Sequence, residues 1–245
     1  MKQDTRRFWI GTSGWSYDHW WGDFYPTDLP KNRWFSFYLE HFAAVEINAT
    51  FYRIFADTTY HKWREQVTPA FRYVLKVPKL ITHRKCLQNC EADIRGFNRS
   101  ANLLGECLGM LLLQVSPITP FDLQRLREVL QVFDDPTRIA VEFRSKHWEC
   151  DETRSLLCEM GAAWVSADSP RTRLTDWVTG RRAYIRLHGR RRWYADNYSM
   201  EELEEIAQLA QTMTTKGAQE VYIFFNNDFG GYAPKNALTL ARLLC

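Results

Sequence analysis

The stretch 139–148 reads Ile-Ala-Val-Glu-Phe-Arg-Ser-Lys-His-Trp. Its start alternates: Ile139, Val141 and Phe143 share one side of an extended chain, and Ala140, Glu142 and Arg144 share the other. Similar apolar or alternating runs recur at 8–13, 44–50, 73–78, 109–115, 163–168, 182–188 and 220–227. The run at 109–115 is almost continuously apolar, as expected of a parallel strand buried on both faces. Between these runs the apolar spacing turns helical, predicting helices over 34–42, 60–67, 91–107, 121–133, 151–160, 199–214 and 234–244. Asp151 is expected to cap one helix and Gly161 to end it, while Ser199 and Glu202 have the spacing of a capping box. Only the interval between Asp168 and Arg182 has little room for a helix.

Eight strands alternating with helices, joined by right-handed crossovers, predict a parallel sheet, and 245 residues suit its closure into one barrel. The fold class expected is therefore α/β, a (β/α)8 TIM-type barrel of eight parallel strands forming a single domain over 1–245. An open doubly wound sheet is the alternative, but no G-x-G-x-x-G follows the first strand.

In such a barrel both sheet faces are covered, so polar residues within strands need a reason. They are Thr12, Glu46, Asn48, Lys76, Gln114, Glu142, Arg144, Ser166, Asp168, Arg186, His188 and Asn226. Ionised groups are rarely buried without partners. They are expected to pair with one another or with a ligand at the C-terminal mouth, where barrel enzymes do their chemistry. A salt-bridge lattice that only fixes the core is the plainer alternative. Glu46 and Glu142 are the candidate general acid and base, Lys76 an electrostatic stabiliser or nucleophilic amine, and His188 a proton shuttle. Arg144 and Arg186 offer forks for a carboxylate or phosphate, and Gln114, Asn48 and Asn226 are suited to orient polar atoms.

Composition narrows the classes. A net charge of +3 is too mild to imply nucleic acid without a local patch. No apolar run is long enough for a bilayer, and the first residues lead into Phe8-Trp9-Ile10 without a signal h-region, so a cytoplasmic protein is expected. Cys86, Cys90, Cys107, Cys150, Cys158 and Cys245 are too sparse for a disulfide scaffold and are expected to be reduced thiols. Cys86 and Cys90 lack the third cysteine of an iron-sulfur run, no HExxH is present, and the basic residues near the carboxylates disfavour a cation; no metal and no cofactor are expected.

Aromatic residues are plentiful. Trp15, Tyr17, Trp20, Trp21, Phe51, Tyr52 and Trp148 follow the first, second and fifth strands, where they stack on a ligand or lid the barrel. After the seventh strand comes Gly189-Arg190-Arg191-Arg192-Trp193-Tyr194, a solvated charge run or a phosphate contact.

Several of these segments, taken together, carry a resemblance. Gly11-Thr12-Ser13-Gly14-Trp15-Ser16-Tyr17, Glu46-Ile47-Asn48-Ala49-Thr50-Phe51-Tyr52, Glu142-Phe143-Arg144 with Trp148, Tyr184-Ile185-Arg186-Leu187-His188-Gly189 and Tyr222-Ile223-Phe224-Phe225-Asn226-Asn227 resemble the YecE-like family, domain of unknown function 72. The resemblance covers nearly the whole chain, implies a TIM-type barrel with these residues lining one cleft, and implies no particular reaction.

The expected function is acid/base chemistry, hydrolytic, lyase-like or isomerising, on a small polar substrate, anionic or sugar-like. Catalytic residues are Glu46, Lys76, Glu142 and His188. Substrate contacts are Thr12, Trp15, Tyr17, Asn48, Phe51, Tyr52, Gln114, Arg144, Trp148, Asp168, Arg186 and Asn226. The alternative is a nucleic-acid-binding or processing protein with Arg190, Arg191 and Arg192 on phosphates and tryptophans stacking bases. A non-catalytic scaffold ranks third. Oligomeric state is left open.

Overall fold

In the computed structural model, which describes residues 7–244, the strands are Phe8–Ser13 (β1), Ala44–Ile47 (β2), Arg72–Lys76 (β3), Leu108–Val115 (β4), Ile139–Phe143 (β5), Ala163–Asp168 (β6), Arg182–Leu187 (β7) and Glu220–Phe225 (β8). They close into a barrel in chain order, as the TIM-type reading expects. The pairing is parallel, with Gly11 opposite Ala44, Ile10 opposite Ile223 and Gln114 opposite Glu142. Helices alternate with the strands: Trp34–His41 (α1), Ala49–Tyr52 (α2), Asp57–Glu65 (α3), Glu91–Asn102 (α4), Leu123–Val132 (α5), Asp151–Met160 (α6), Met200–Thr215 (α7) and Tyr232–Leu243 (α8).

The strands β1 and β6 have the expected bounds, and no helix lies between Asp168 and Arg182. The strand β4 also ends where expected, at Val115, but β2, β3, β5, β7 and β8 stop earlier than the expected runs do. Asn48 has helical backbone (φ −78°, ψ −18°) and precedes α2, so it leaves the strand that carries Glu46. Arg144, His188 and Asn226 likewise lie just past β5, β7 and β8. The helix expected over 91–107 ends at Asn102 and is followed by a 3-10 turn at Gly105–Cys107. Asp151 opens α6 as its first residue and Cys150 holds the cap position, a one-residue correction; Gly161 ends the helix in left-handed backbone (φ 66°). The capping box of α7 is present in full: Ser199 accepts from the Glu202 amide, and the Glu202 carboxylate accepts from the Ser199 amide.

The chain divides into two compact units, one made of residues 1–46, 166–177 and 184–245, the other of 47–165 and 178–183. In the first, β1 pairs with both β2 and β8. Gly11 is dictated there by close approach, since a Cβ would lie 2.0 Å from the Ala44 carbonyl oxygen. The loop after β1 folds into an aromatic cluster in which Trp20 and Tyr25 are fully buried and Tyr25 stacks on Trp34 at 4.5 Å. In the second unit every residue of β4 is buried, as its unbroken apolar run requires, and Asp122 caps α5 by accepting from the Arg125 amide at 2.9 Å.

Candidate functional site

In the first unit the polar strand residues find one another. Glu46, at 0% exposure, accepts from Ser13 Oγ (2.7 Å) and Arg186 Nη2 (2.6 Å) on one oxygen, and from Tyr184 Oη (2.6 Å) and Arg186 Nε (2.9 Å) on the other. Burial pushes its carboxyl pKa up, but the Arg186 charge and the bonds from Arg186, Tyr184 and Ser13 outweigh this and hold it below the usual range. Glu46 was expected as a general acid or base and Arg186 as a fork for a substrate anion; here the two engage each other. Glu46 is a fixed anion and not a group poised to give a proton near neutrality, and the Arg186 fork already grips a carboxylate belonging to the protein.

Asp168 and His188 sit a short way along the same unit, linked through the backbone by His188 N donating to the Asp168 carbonyl (2.9 Å). Asp168 is buried; Arg190 Nε donates to its Oδ2 at 3.0 Å, while Oδ1 has no hydrogen-bond partner among the described residues. Desolvation raises its pKa, with Arg190 and Arg173 opposing. The His188 ring packs between Trp193 and Tyr194 (5.6 and 5.7 Å), and Asn226 Nδ2 donates to its Nδ1 at 3.0 Å. Such an arrangement fixes the ring, and with Nδ1 accepting, a neutral His188 carries its proton on Nε2.

The arginine run is mostly engaged within the protein. Arg190 also pairs with Glu205 at 2.8 Å, and Arg191 pairs with Asp196 (3.0 Å) and Glu202 (2.9 Å). Two of the three guanidinium groups expected on phosphates thus hold carboxylates of their own chain. Several aromatic contacts also turn inward. Trp20 is core, and Trp148, 1% exposed, stacks on Phe143 at 4.9 Å beside Phe121. Thr12 is buried against Tyr38 (2.9 Å), Trp15 lies on Phe35 (4.8 Å), and Tyr17 Oη donates to the Ser13 carbonyl (2.6 Å).

A different arrangement occupies the second unit at the carboxyl ends of β3, β4 and β5. The β4–β5 register sets Gln114 beside Glu142, whose Oε2 accepts from Gln114 Nε2 at 2.8 Å; Arg144 Nη2 meets Oε1 at 2.9 Å. Glu142 itself is 1% exposed, but Arg144 is 22% exposed, so the pair reaches solvent at one end. Lys76 closes β3 with its ammonium 4.1 Å from the centre of the Phe51 ring, a cation-π contact. Thr50 Oγ1, donating to the Lys76 carbonyl (2.7 Å), ties α2 to this strand end.

One member of this group was not among the expected site residues. His83 lies in a π-helical turn, Leu80–Arg84, edge-on to Phe51 at 5.0 Å, with Nδ1 2.8 Å from Thr82 Oγ1. Desolvation lowers its pKa, and the charges of Lys76, Lys79 and Arg144 lower it further against the opposing pull of Glu142. Together they favour the neutral imidazole. A π turn frequently marks a functional site, and left-handed backbone follows directly at Cys86, Leu87 and Asn89 (φ 48°, 67° and 46°). The only signal in the sequence is the basic run around His83, which has no period.

Among the described residues no three His, Cys, Asp or Glu side chains gather to hold a metal ion. Cys86, Cys90, Cys107, Cys150 and Cys158 are free thiols; Cys245 and residues 1–6 lie outside the described residues. No helix described is long and apolar enough to cross a membrane.

The model of a family described as "Protein of unknown function DUF72" matches residues 9–245. The chain belongs to the DUF72 family. Among DUF72 relatives, the chain is similar to the UPF0759 protein YunF of Bacillus subtilis, 26% identical over 272 aligned positions that cover 96% of this chain and 94% of that one. The UPF0759 protein YecE of Escherichia coli K12 is 32% identical over 109 positions, 44% of this chain and 40% of that one. A solved DUF72 structure from Thermotoga maritima superimposes with a TM-score of 0.87 at 28% identity, covering 98% of this chain and 99% of that one. One from Enterococcus faecalis does so with 0.83 at 23%, covering 97% and 95%, and speaks to the fold alone.

Proposed function

We propose that Lys76, His83, Glu142 and Arg144 form the active site of an enzyme doing acid/base chemistry on a small polar substrate that carries a carboxylate or phosphate. What supports this reading is the gathering of Lys76 and His83 on the Phe51 ring and of the Glu142–Arg144 pair, oriented by Gln114, at the ends of β3, β4 and β5. A neutral imidazole among cations is a base without an ion-pair partner of its own, and the cations favour an anionic ligand.

In this reading Arg144, the more exposed partner of its pair, turns its guanidinium toward the substrate anion. Glu142, oriented by Gln114, and His83 exchange protons with the reacting carbon or oxygen. Lys76 stabilises negative charge that develops there, or attacks a carbonyl as an amine. Hydrolysis, elimination and isomerisation all use these parts. Glu46, Arg186, Asp168 and His188 are given no proton-transfer role. We also infer a cytoplasmic setting, supported by the free thiols.

The test is a thermal-shift screen with small phosphorylated and carboxylated metabolites. A ligand present at a hundred times its Kd stabilises by about 2.7 kcal/mol. At least one anion is expected to raise the melting temperature of the parent protein and to leave Arg144→Ala and Lys76→Met unmoved. If every stabilising anion acts equally on those variants, the assignment is wrong.

A further inference from the structure

A cavity of about 680 Å³ is walled by α2, the π turn and α4. Its size falls in the range of small-molecule sites, roughly 300–1,000 Å³. The floor includes Gly96, in the interior of α4. Glycine there costs the helix about 1 kcal/mol relative to alanine. Nothing local requires it: its backbone is not left-handed, and an added Cβ would meet no atom within 4 Å. A residue that is poor for the helix and unneeded for packing has one evident effect, which is to keep the floor open.

The walls define the ligand. Arg53, Lys79, Arg84 and Arg99 line the cavity, and the only acid among the described lining residues, Asp93, is paired with Lys85 at 2.6 Å. The excess charge is positive. Phe51 and Phe97 lie beneath, while Tyr52 and Ile54 stand at the edge, 76% and 83% exposed. Tyr52, expected from the sequence as a substrate contact, belongs to this cavity, and large apolar side chains so exposed beside a hollow suit a flat ligand body.

We propose that this cavity is a second ligand site, for a small molecule with a flat apolar or aromatic body and an anionic group. The cavity shares Phe51 and Lys79 with the surroundings of His83, but neither Glu142 nor His83 is among its lining residues. The probe is 8-anilinonaphthalene-1-sulfonate, an aromatic anion followed by its fluorescence, with neutral N-phenyl-1-naphthylamine as its uncharged counterpart. The full-length protein is expected to bind the sulfonate saturably at one equivalent. Gly96→Leu fills the floor and weakens binding at least tenfold, with a melting temperature no lower than the parent's because leucine is the better helix former. The double variant Lys79→Glu/Arg84→Glu weakens it similarly, and the neutral compound binds at least tenfold more weakly than the sulfonate. Glu142→Gln leaves binding unchanged, which separates this site from the catalytic reading. The proposal is overturned by absence of saturable binding, by parent-like affinity in Gly96→Leu, or by equal affinity for the neutral compound. Should Gly96→Leu melt lower than the parent, the charge-reversed variant decides: parent-like affinity there also overturns it.

Discussion

The Glu46 cluster and the Glu142 cluster begin from the same ingredients, a carboxylate on a barrel strand and an arginine beside it, and reach opposite states. Around Glu46 both oxygens are taken, the arginine is 1% exposed, and the acid is held ionised. Around Glu142 the arginine is open to solvent, a lysine faces an aromatic ring, and a histidine is kept neutral. The difference lies in what completes the shell. Hydrogen-bond donors from Ser13, Tyr184 and Arg186 seal the first, whereas Gln114 and a partly exposed Arg144 hold the second, beside Lys76 and His83 on the Phe51 ring. A sealed pair fixes geometry, and a pair that reaches solvent at one end is where we propose that a ligand binds.

Substitution at each carboxylate tests that contrast most strongly. Glu142→Gln is expected to reduce turnover of the substrate found by screening about 10²–10⁴-fold, the usual worth of a general acid or base. Unaltered turnover breaks the contrast at its functional end. Glu46→Gln leaves a buried guanidinium without its counter-charge and is expected to cost about 3–5 kcal/mol, read from urea unfolding. A loss under 1 kcal/mol shows the ion pair to be dispensable.

Acidity sharpens the same comparison. Both groups have folded pKa values below their unfolded ones, so each contributes stability at high pH that is lost as pH falls. For His83 the loss begins below about pH 6.5, where the unfolded chain takes up a proton that the folded one resists. For Glu46 it begins only below about pH 4.5. Unfolding free energies measured from pH 7 to pH 3 should show two separate declines, the upper removed by His83→Gln and the lower by Glu46→Gln. A single decline, or one untouched by either change, contradicts the assignment.

How much of this could be read beforehand varies along the chain. The eight strands and their order followed from apolar runs at regular intervals, because a buried parallel strand has few other ways to be written. Glu142, Gln114 and Lys76 were legible as polar residues inside those runs. His83 was not, since a π turn leaves no periodic trace and its neutrality arises from charges brought there by folding. The state of Arg190 and Arg191 was equally hidden: three consecutive arginines look free until α7 brings Glu202 and Glu205 alongside.

Two smaller effects complete the set. Arg190/Arg191/Arg192→Ala is expected to change RNA or DNA affinity and its salt dependence little, as carboxylates already occupy two of the three; a clearly flattened salt slope revives the nucleic-acid alternative. We also propose that the chain acts as one domain, for which a single cooperative thermal transition is expected, and two resolved transitions contradict it.

The pairing of β1 with β8 bears on how the protein is made. The ladder runs from Phe8 opposite Val221 to Thr12 opposite Phe225, so one edge of the first strand waits until those later residues have left the ribosome. At about 5–20 residues per second, that wait is on the order of 10–40 s. Throughout it the nascent chain presents an unpaired β edge, a template for pairing with another chain unless something shields it during synthesis.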